Sequence, residues 1–257
     1  AQAALAGEDI GSSPGGEQPK FTATVITPQG RHAALVKFAV PDTGQAARRW
    51  ADLLACEHLA LACLRDAGLP AAQSELIDAQ GYTCLEVHRF DRTPDTLGRR
   101  GFVSLQALDA AFVGSDGRDW GHAGERLAAQ ARITPETAAQ MARLHWFGRL
   151  IGNSDMHPGN LGFQLTDSGP LALAPAYDML PMSLAPSRTG AVRVANPLQP
   201  TAPDRAGQFP HITWAAEAAA HFWDQVATSD LIASDELRRL AAHNRDAVAR
   251  FGRVFRA

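Results

Sequence analysis

Asp155 and Asn160 stand five residues apart in the polar run Gly152-Asn153-Ser154-Asp155-Met156-His157-Pro158-Gly159-Asn160. In phosphotransferase catalytic loops this spacing lets the carboxylate receive or orient the attacking hydroxyl, while the amide oxygen holds a metal ion. Asp178, in Ala176-Tyr177-Asp178-Met179-Leu180-Pro181, offers a second carboxylate. Magnesium takes a few carboxylate and amide oxygens together with nucleotide phosphates, so an Asp and an Asn on either side of a short hairpin suit it. Asp and Asn also cluster in ordinary turns, so this pair needs support from elsewhere in the chain. Lys37, in Leu35-Val36-Lys37-Phe38, and Glu57, among Leu53, Leu54 and Leu59, supply it. A strand lysine held by a helix glutamate grips the α- and β-phosphates of a nucleotide. The plainer alternatives are a solvated edge-strand lysine and a surface helix glutamate. The run Gly11-Ser12-Ser13-Pro14-Gly15-Gly16 can fold over phosphates through its backbone N–H groups. Glycine loop, strand Lys, helix Glu, Asp-x4-Asn, hairpin and second Asp follow one another in the order expected of an ATP-dependent phosphotransferase.

These side chains need a scaffold to bring them together. Residues 21–27 are rich in β-branched side chains, Pro28-Gln29-Gly30 offers a turn, and residues 33–40 form a second such run. A hairpin there places Lys37 on its second strand. Residues 43–67 read as a long helix with Trp50, Leu53, Leu54, Leu61 and Leu64 on one face, ended by Gly68 and Pro70. Two more strands, residues 74–79 and 82–87, flank the Gln80-Gly81 turn and lead into Arg89-Phe90-Asp91-Arg92, expected to be an exposed connector. Farther on, Thr134 is a good N-cap with Pro135 behind it, and Met141, Leu144, Phe147, Leu150 and Ile151 keep one apolar stripe as far as Gly152. The polar loop and a hairpin about Asp167-Ser168-Gly169 follow. Helices are expected over 214–228 and, behind a Ser234 cap, over 235–254, with the Pro-rich stretch 183–212 irregular. This is a two-lobed α+β architecture.

Composition narrows the function classes. The 257 residues carry 24 Lys+Arg against 27 Asp+Glu, a net charge of −3. That balance argues against direct nucleic-acid binding, which needs a basic excess to release counterions from phosphates. A hydrophobic content of 46% supports a real core. No apolar run approaches the ~18–20 residues of a membrane span, and residues 1–10 hold Glu8 and Asp9 without the basic run of a signal peptide. Cys56, Cys63 and Cys84 show no zinc-ligand spacing and read as buried, reduced thiols of a cytoplasmic protein. Only Lys20 and Lys37 are lysines, so 24 − 2 = 22 of the basic residues are arginines. Arginine does not replace the compact ammonium that reaches phosphates along a narrow path.

Four segments resemble the HipA-like family of bacterial serine/threonine protein kinases, the toxin halves of toxin–antitoxin pairs. Ser13-Pro14-Gly15-Gly16-Glu17-Gln18-Pro19-Lys20 is similar to the family's glycine-rich loop. Val87-His88-Arg89-Phe90-Asp91-Arg92 is similar to its hinge, though the family often has Glu where His88 stands. Residues 153–160 match its catalytic loop, and Tyr177-Asp178-Met179-Leu180-Pro181 its metal-binding segment. The resemblance implies a two-lobed protein-kinase-like fold: a small β-rich N-lobe over residues 1–92 and a helical C-lobe over 93–257, together one kinase domain. It implies Asp155 as catalytic base, Asn160 and Asp178 as ligands of Mg2+, and Lys37 with its partner Glu57 on the phosphates of ATP. It further implies Gly15 and Gly16 in the nucleotide loop, backbone at Val87 and His88 against the adenine, and autophosphorylation at Ser13. His157 is expected to brace the loop.

Two departures stand out. Gly159 occupies a position where the family commonly has Lys, removing a positive charge near the γ-phosphate. Only ten residues precede Gly11, where family members usually have a further segment, so an incomplete first lobe or a fragment is expected. The implied protein substrate is a translation component such as an aminoacyl-tRNA synthetase, and the implied partner is a DNA-binding antitoxin. Two other functions fit parts of the pattern. One is a small-molecule phosphotransferase of the aminoglycoside type, although residues 183–212 hold Arg188, Arg193 and Arg205 against the single acidic Asp204. The other is a degraded kinase that serves as a regulatory binding module.

Overall fold

Thr22, Thr24, Val25, Ile26 and Thr27 favour extended backbone through their branched Cβ atoms. They lie in strand β1 (Lys20–Thr27), which returns as β2 (Gly30–Ala39) in the expected hairpin. The computed structural model describes residues 18–256 apart from 29, 43, 116 and 195. Ser13, Gly15 and Gly16 therefore lie outside the described residues. Strands β3 (Ser74–Ala79) and β4 (Tyr82–His88) complete an antiparallel sheet of order β1-β2-β4-β3.

Register explains which side chains reach the cleft. Lys37 pairs with Lys20 on one side and Leu85 on the other, and Leu35 pairs with Val87. Directly paired residues share a face, so Lys20, Lys37, Leu35, Leu85 and Val87 look the same way. The opposite face carries Ala34 beside His88 and Val36 beside Glu86. Helix α1 (Gln45–Asp66) packs on β2, β3 and β4 with Leu53, Leu54, Leu61 and Leu64 fully buried. Each such leucine contributes roughly 1.5–3 kcal/mol by leaving water. Glu57 lies on this buried face and not on the surface.

Residues 89–92 depart from the exposed connector expected of them, being half-buried. Arg89 makes a bidentate pair with Asp91, at 2.9 and 2.7 Å. Phe90 lies between the rings of Tyr177 (5.7 Å) and Phe102 (5.8 Å). Mutual charge neutralisation and an aromatic anchor draw this charged segment inward.

The remaining chain is largely helical. Strand β5 (Phe102–Ser104) runs into a short helix, α2 (Leu105–Leu108), that widens into a π-turn over Asp109–Val113. Helices α3 (Trp120–Ala129) and α4 (Pro135–Leu150) follow, then strands β6 (Gly162–Gln164) and β7 (Ala172–Leu173), which join β5 in a small antiparallel sheet. Helices α5 (Phe209–Thr228) and α6 (Asp235–Arg253) pack on one another, and α5 packs on α4. The α4 cap forms as expected, Thr134 Oγ1 accepting the Thr137 N–H at 3.1 Å. Met141, Leu144, Phe147, Leu150 and Ile151 are all buried. Trp223 fastens α5 to α4 by donating to the Leu150 carbonyl at 3.0 Å. Helix α5 begins at Phe209, inside the stretch read as irregular, because Pro210 occupies its first turn, where its missing N–H costs nothing.

Helix α1 is also held from the far side of the molecule. Asp52 Oδ1 accepts the Ala233 N–H at 2.9 Å just before the Ser234 cap of α6, and Arg49 lies 3.6 Å from Glu236. Cys56 and Cys63 are buried and Cys84 is half-buried, all three as free thiols. Burial pushes the Cys63 thiol up to about 12, in keeping with inert core cysteines. Among the described residues no helix is long and apolar enough to cross a membrane.

Candidate active site

Helix α4 ends in a left-handed glycine. Gly152 adopts φ +75°, the Gly152 N–H donates to Arg149 O at 3.2 Å, and the Asn153 N–H donates to Gly148 O at 2.9 Å. This is a Schellman termination, in which glycine takes a conformation that costs other residues energy. It aims the following loop away from the helix axis. Asn153, buried, then works in two directions: its Oδ1 accepts the Asp155 N–H at 3.0 Å, and its Nδ2 donates to the Asp178 carbonyl at 3.1 Å. Asn160, also buried, donates its amide nitrogen to the Asp155 carbonyl at 2.9 Å. That contact leaves the Asn160 Oδ1 end of the amide for a cation. Tyr177 closes the arrangement, its hydroxyl donating to the Gly159 carbonyl at 2.8 Å.

His157 Nδ1 accepts the Gly159 N–H at 3.0 Å. The ring also explains why residue 159 carries no side chain. A Cβ there would lie 2.8 Å from His157 Cε1 and Nδ1. A side chain at 159 and this imidazole position therefore exclude one another.

Across the cleft, the Lys37 ammonium sits 2.7 Å from both Glu57 oxygens and also contacts Asp178 Oδ1. Burial alone would lower the Lys37 ammonium, but the Asp178 and Glu57 carboxylates outweigh it and hold it above its ordinary value. Burial raises the Glu57 carboxyl in spite of Lys37. Burial would raise Asp178 too, but Lys37, with smaller help from Lys20 and His157, brings it below the usual carboxylate range. Asp178 itself takes a left-handed backbone, φ +53°, a conformation that concentrates at functional positions. Burial, with Lys37 close by, lowers the Lys20 ammonium against the pull of Asp178.

Two connected cavities meet at these charges. One, of about 220 Å³, has Leu35, Val87, Phe90, Phe102 and Tyr177 on its walls and Lys37, Glu57 and Asp178 at its end. The other, of about 720 Å³, runs past Asp155, His157 and Asn160 and shares Lys20, Lys37, Tyr177 and Asp178 with the first. An apolar slot opening into a charged trough suits a planar base with an anionic tail. Val87 and His88 border the slot, but the His88 N–H donates to Gln73 O at 2.8 Å and the Arg89 N–H to Ala33 O at 2.9 Å. Both amides are thus held by the sheet. Asp155, Asn160, Asp178, Lys37 and Glu57 converge on one cleft. Sequence reasoning quoted Asn153 and Tyr177 without giving them roles. Their signal was position only, at the first residue of the loop and directly before the second aspartate.

Comparison with known proteins bears on the family and the fold. Residues 12–250 match the family model described as the HipA-like C-terminal domain. Toxin YjjJ of Escherichia coli K12 is 47% identical over 193 residues, which make up 75% of this chain and 43% of that protein. The chain therefore spans under half the length of this curated relative. The fold is similar to HipA from Shewanella oneidensis MR-1, solved with HipB and operator DNA, with TM-score 0.56 and 18% identity over 95% of this chain and 65% of that one. It is also similar to the Helicobacter pylori proinflammatory kinase CtkA, with TM-score 0.60 and 13% identity over 95% of this chain and 94% of that one. The two-lobed architecture is thus shared with HipA and with a kinase of known structure, and the chain belongs to the HipA-like C-terminal domain family.

Proposed function

We propose that the chain is an ATP-dependent serine/threonine protein kinase, a toxin-type growth regulator whose N-lobe (residues 1–92) and C-lobe (residues 93–257) close on the nucleotide. The observation that carries this reading is the bridge of Lys37 to both Glu57 and Asp178 at the junction of the two cavities. The adenine lies in the slot between Leu35, Val87 and Phe90. Its polar edge meets backbone at Phe90, since the neighbouring His88 and Arg89 amides and the Asp91 carbonyl are already held. Lys37 turns its ammonium from Asp178 to the α- and β-phosphates while Glu57 keeps it aligned. The freed Asp178 carboxylate and Asn160 Oδ1 are hard oxygen donors that fit Mg2+, which when bound supplies charge neutralisation on the phosphates. Asp155 accepts the proton of a substrate Ser or Thr hydroxyl, the oxygen bonds to the γ-phosphorus, and the bond to the β-phosphate bridging oxygen breaks to release ADP. His157 holds the Gly159 amide still during transfer.

Gly15, Gly16 and the autophosphorylation position Ser13 complete the reading from outside the described residues. The substrate is a cytoplasmic protein linked to translation, and the partner is a DNA-binding antitoxin, by analogy with the HipB-bound neighbour. Incubation with γ-labelled ATP and Mg2+ tests the reading directly. Label is expected on Ser13 and on lysate proteins with the wild type, and on neither with Asp155→Ala. Nucleotide binding by calorimetry without transfer in the wild type would instead identify a regulatory binding module.

A further inference from the structure

On the sheet face turned away from Lys37, two histidines and a glutamate converge. His88 sits opposite Ala34, and Glu86 sits opposite Val36, so both look to the same side as His32, two residues before Ala34. His32 Nε2 lies 2.8 Å from Glu86 Oε1, and His88 Nε2 lies 3.4 Å from the same oxygen. The two imidazoles are stacked, centroids 3.8 Å apart at 30°. One ligand atom from each residue falls within 4.8 Å of the others, and no other group of three such ligands meets that condition among the described residues.

We propose that His32, Glu86 and His88 bind a zinc ion that joins β2 to β4 behind the nucleotide slot. Metal bonds of about 2.0–2.1 Å in a tetrahedron set ligand atoms about 3.3 Å apart, and the two printed contacts, 2.8 and 3.4 Å, bracket that spacing. Two imidazoles and one carboxylate make a borderline-soft donor set that selects zinc over magnesium. Glu86 is nearly buried (8% side-chain exposure), while His32 and His88 keep 22% and 34%, which leaves a fourth position to water. His88 leads directly into Arg89 and Phe90 of the slot, so the ion fixes the strand end from which the hinge departs.

The test is titration of the untagged, EDTA-dialysed full chain with Co2+, which reports tetrahedral coordination by its visible absorption. Expected is an intense band that saturates at one Co2+ per chain, bleaches on adding Zn2+, disappears in His32→Ala and in His88→Ala, and persists in Asp178→Asn. A wild-type chain that gives no such band, or a band that survives both histidine substitutions, overturns the proposal. Because a substitution can also unfold the chain, X-ray absorption of the zinc-loaded wild type provides an independent arm. Two imidazole nitrogens and a carboxylate oxygen on the metal support the site, and any shell without imidazole defeats it. Phosphoryl transfer is not part of either readout, so kinase activity and zinc binding fail or succeed separately.

Discussion

At Lys37 one ammonium sits between two carboxylates that would otherwise repel each other, and the cost of removing it divides into two measurable parts. Lys37→Met leaves Glu57, fully buried, without its opposite charge. Stripping one member from a buried pair costs about 3–5 kcal/mol, so a clear fall in the urea midpoint is expected together with loss of transfer. Adding Glu57→Leu removes the stranded charge. The double variant is expected to regain most of the stability and none of the activity, and recovery of transfer would refute the assignment of Lys37. At Gly159 the prediction concerns coupling. Gly159→Ala forces the His157 ring outward and breaks its hydrogen bond, whereas in a His157→Ala background the same methyl meets Gln106 Oε1 at 3.6 Å, an ordinary contact. A double-mutant cycle in denaturant should give a coupling of about 0.5–1 kcal/mol, and strict additivity would show that ring and glycine do not share the volume.

Among the elements, the junction of α4 with the catalytic loop is the most sensitive. Gly152→Ala meets both an unfavourable φ and a Ser183 Oγ 2.9 Å from the new Cβ. A loss of about 1–2 kcal/mol is expected, with kcat reduced because Asn153 turns with the helix end, and an unchanged kcat would separate the cap from the loop. Here local chemistry made the structure readable in advance: Thr134-Pro135 and Gly152 bracket α4 through side-chain and backbone hydrogen bonds that lie within a few residues. The same kind of signal was present but passed over at Ser104 and Asp119, whose side chains cap α2 and α3. Other features depended on distant partners. Nothing near Asp178 in sequence announces that Lys37 will contact it, and the inward turn of residues 89–92 depends on the rings of Phe102 and Tyr177. The residues proposed as catalytic were named from spacing and order. The hydrogen bonds that aim them, from Asn153 and Tyr177, are tertiary and could not be.

For the molecule as a whole, pH acts through a residue remote from the cleft. His145 on α4 is buried beside Trp120 and Trp146, and its Nδ1 lacks a partner among the described residues. Burial lowers its imidazole to about 4 from an ordinary value of 6.5. The folded state therefore binds fewer protons than the unfolded state between those values, so stability is full above pH 6.5 and declines as pH falls towards 4. The decline should total roughly 3 kcal/mol, at 1.36 kcal/mol per unit. His145→Phe should flatten this part of the profile in chemical denaturation, and a slope unchanged by the substitution would place the proton uptake elsewhere. The tether of Asp52 to Ala233 has a mechanical consequence at this scale. The helix that presents Glu57 is moored to the distal helical layer and cannot act as a free lever. Switching by swinging that helix out would require breaking a buried carboxylate's hydrogen bond and leaving its charge unshared. An inhibitor or partner that silences this chain would then have an easier route through the strands and the hinge, leaving α1 standing as a fixed post.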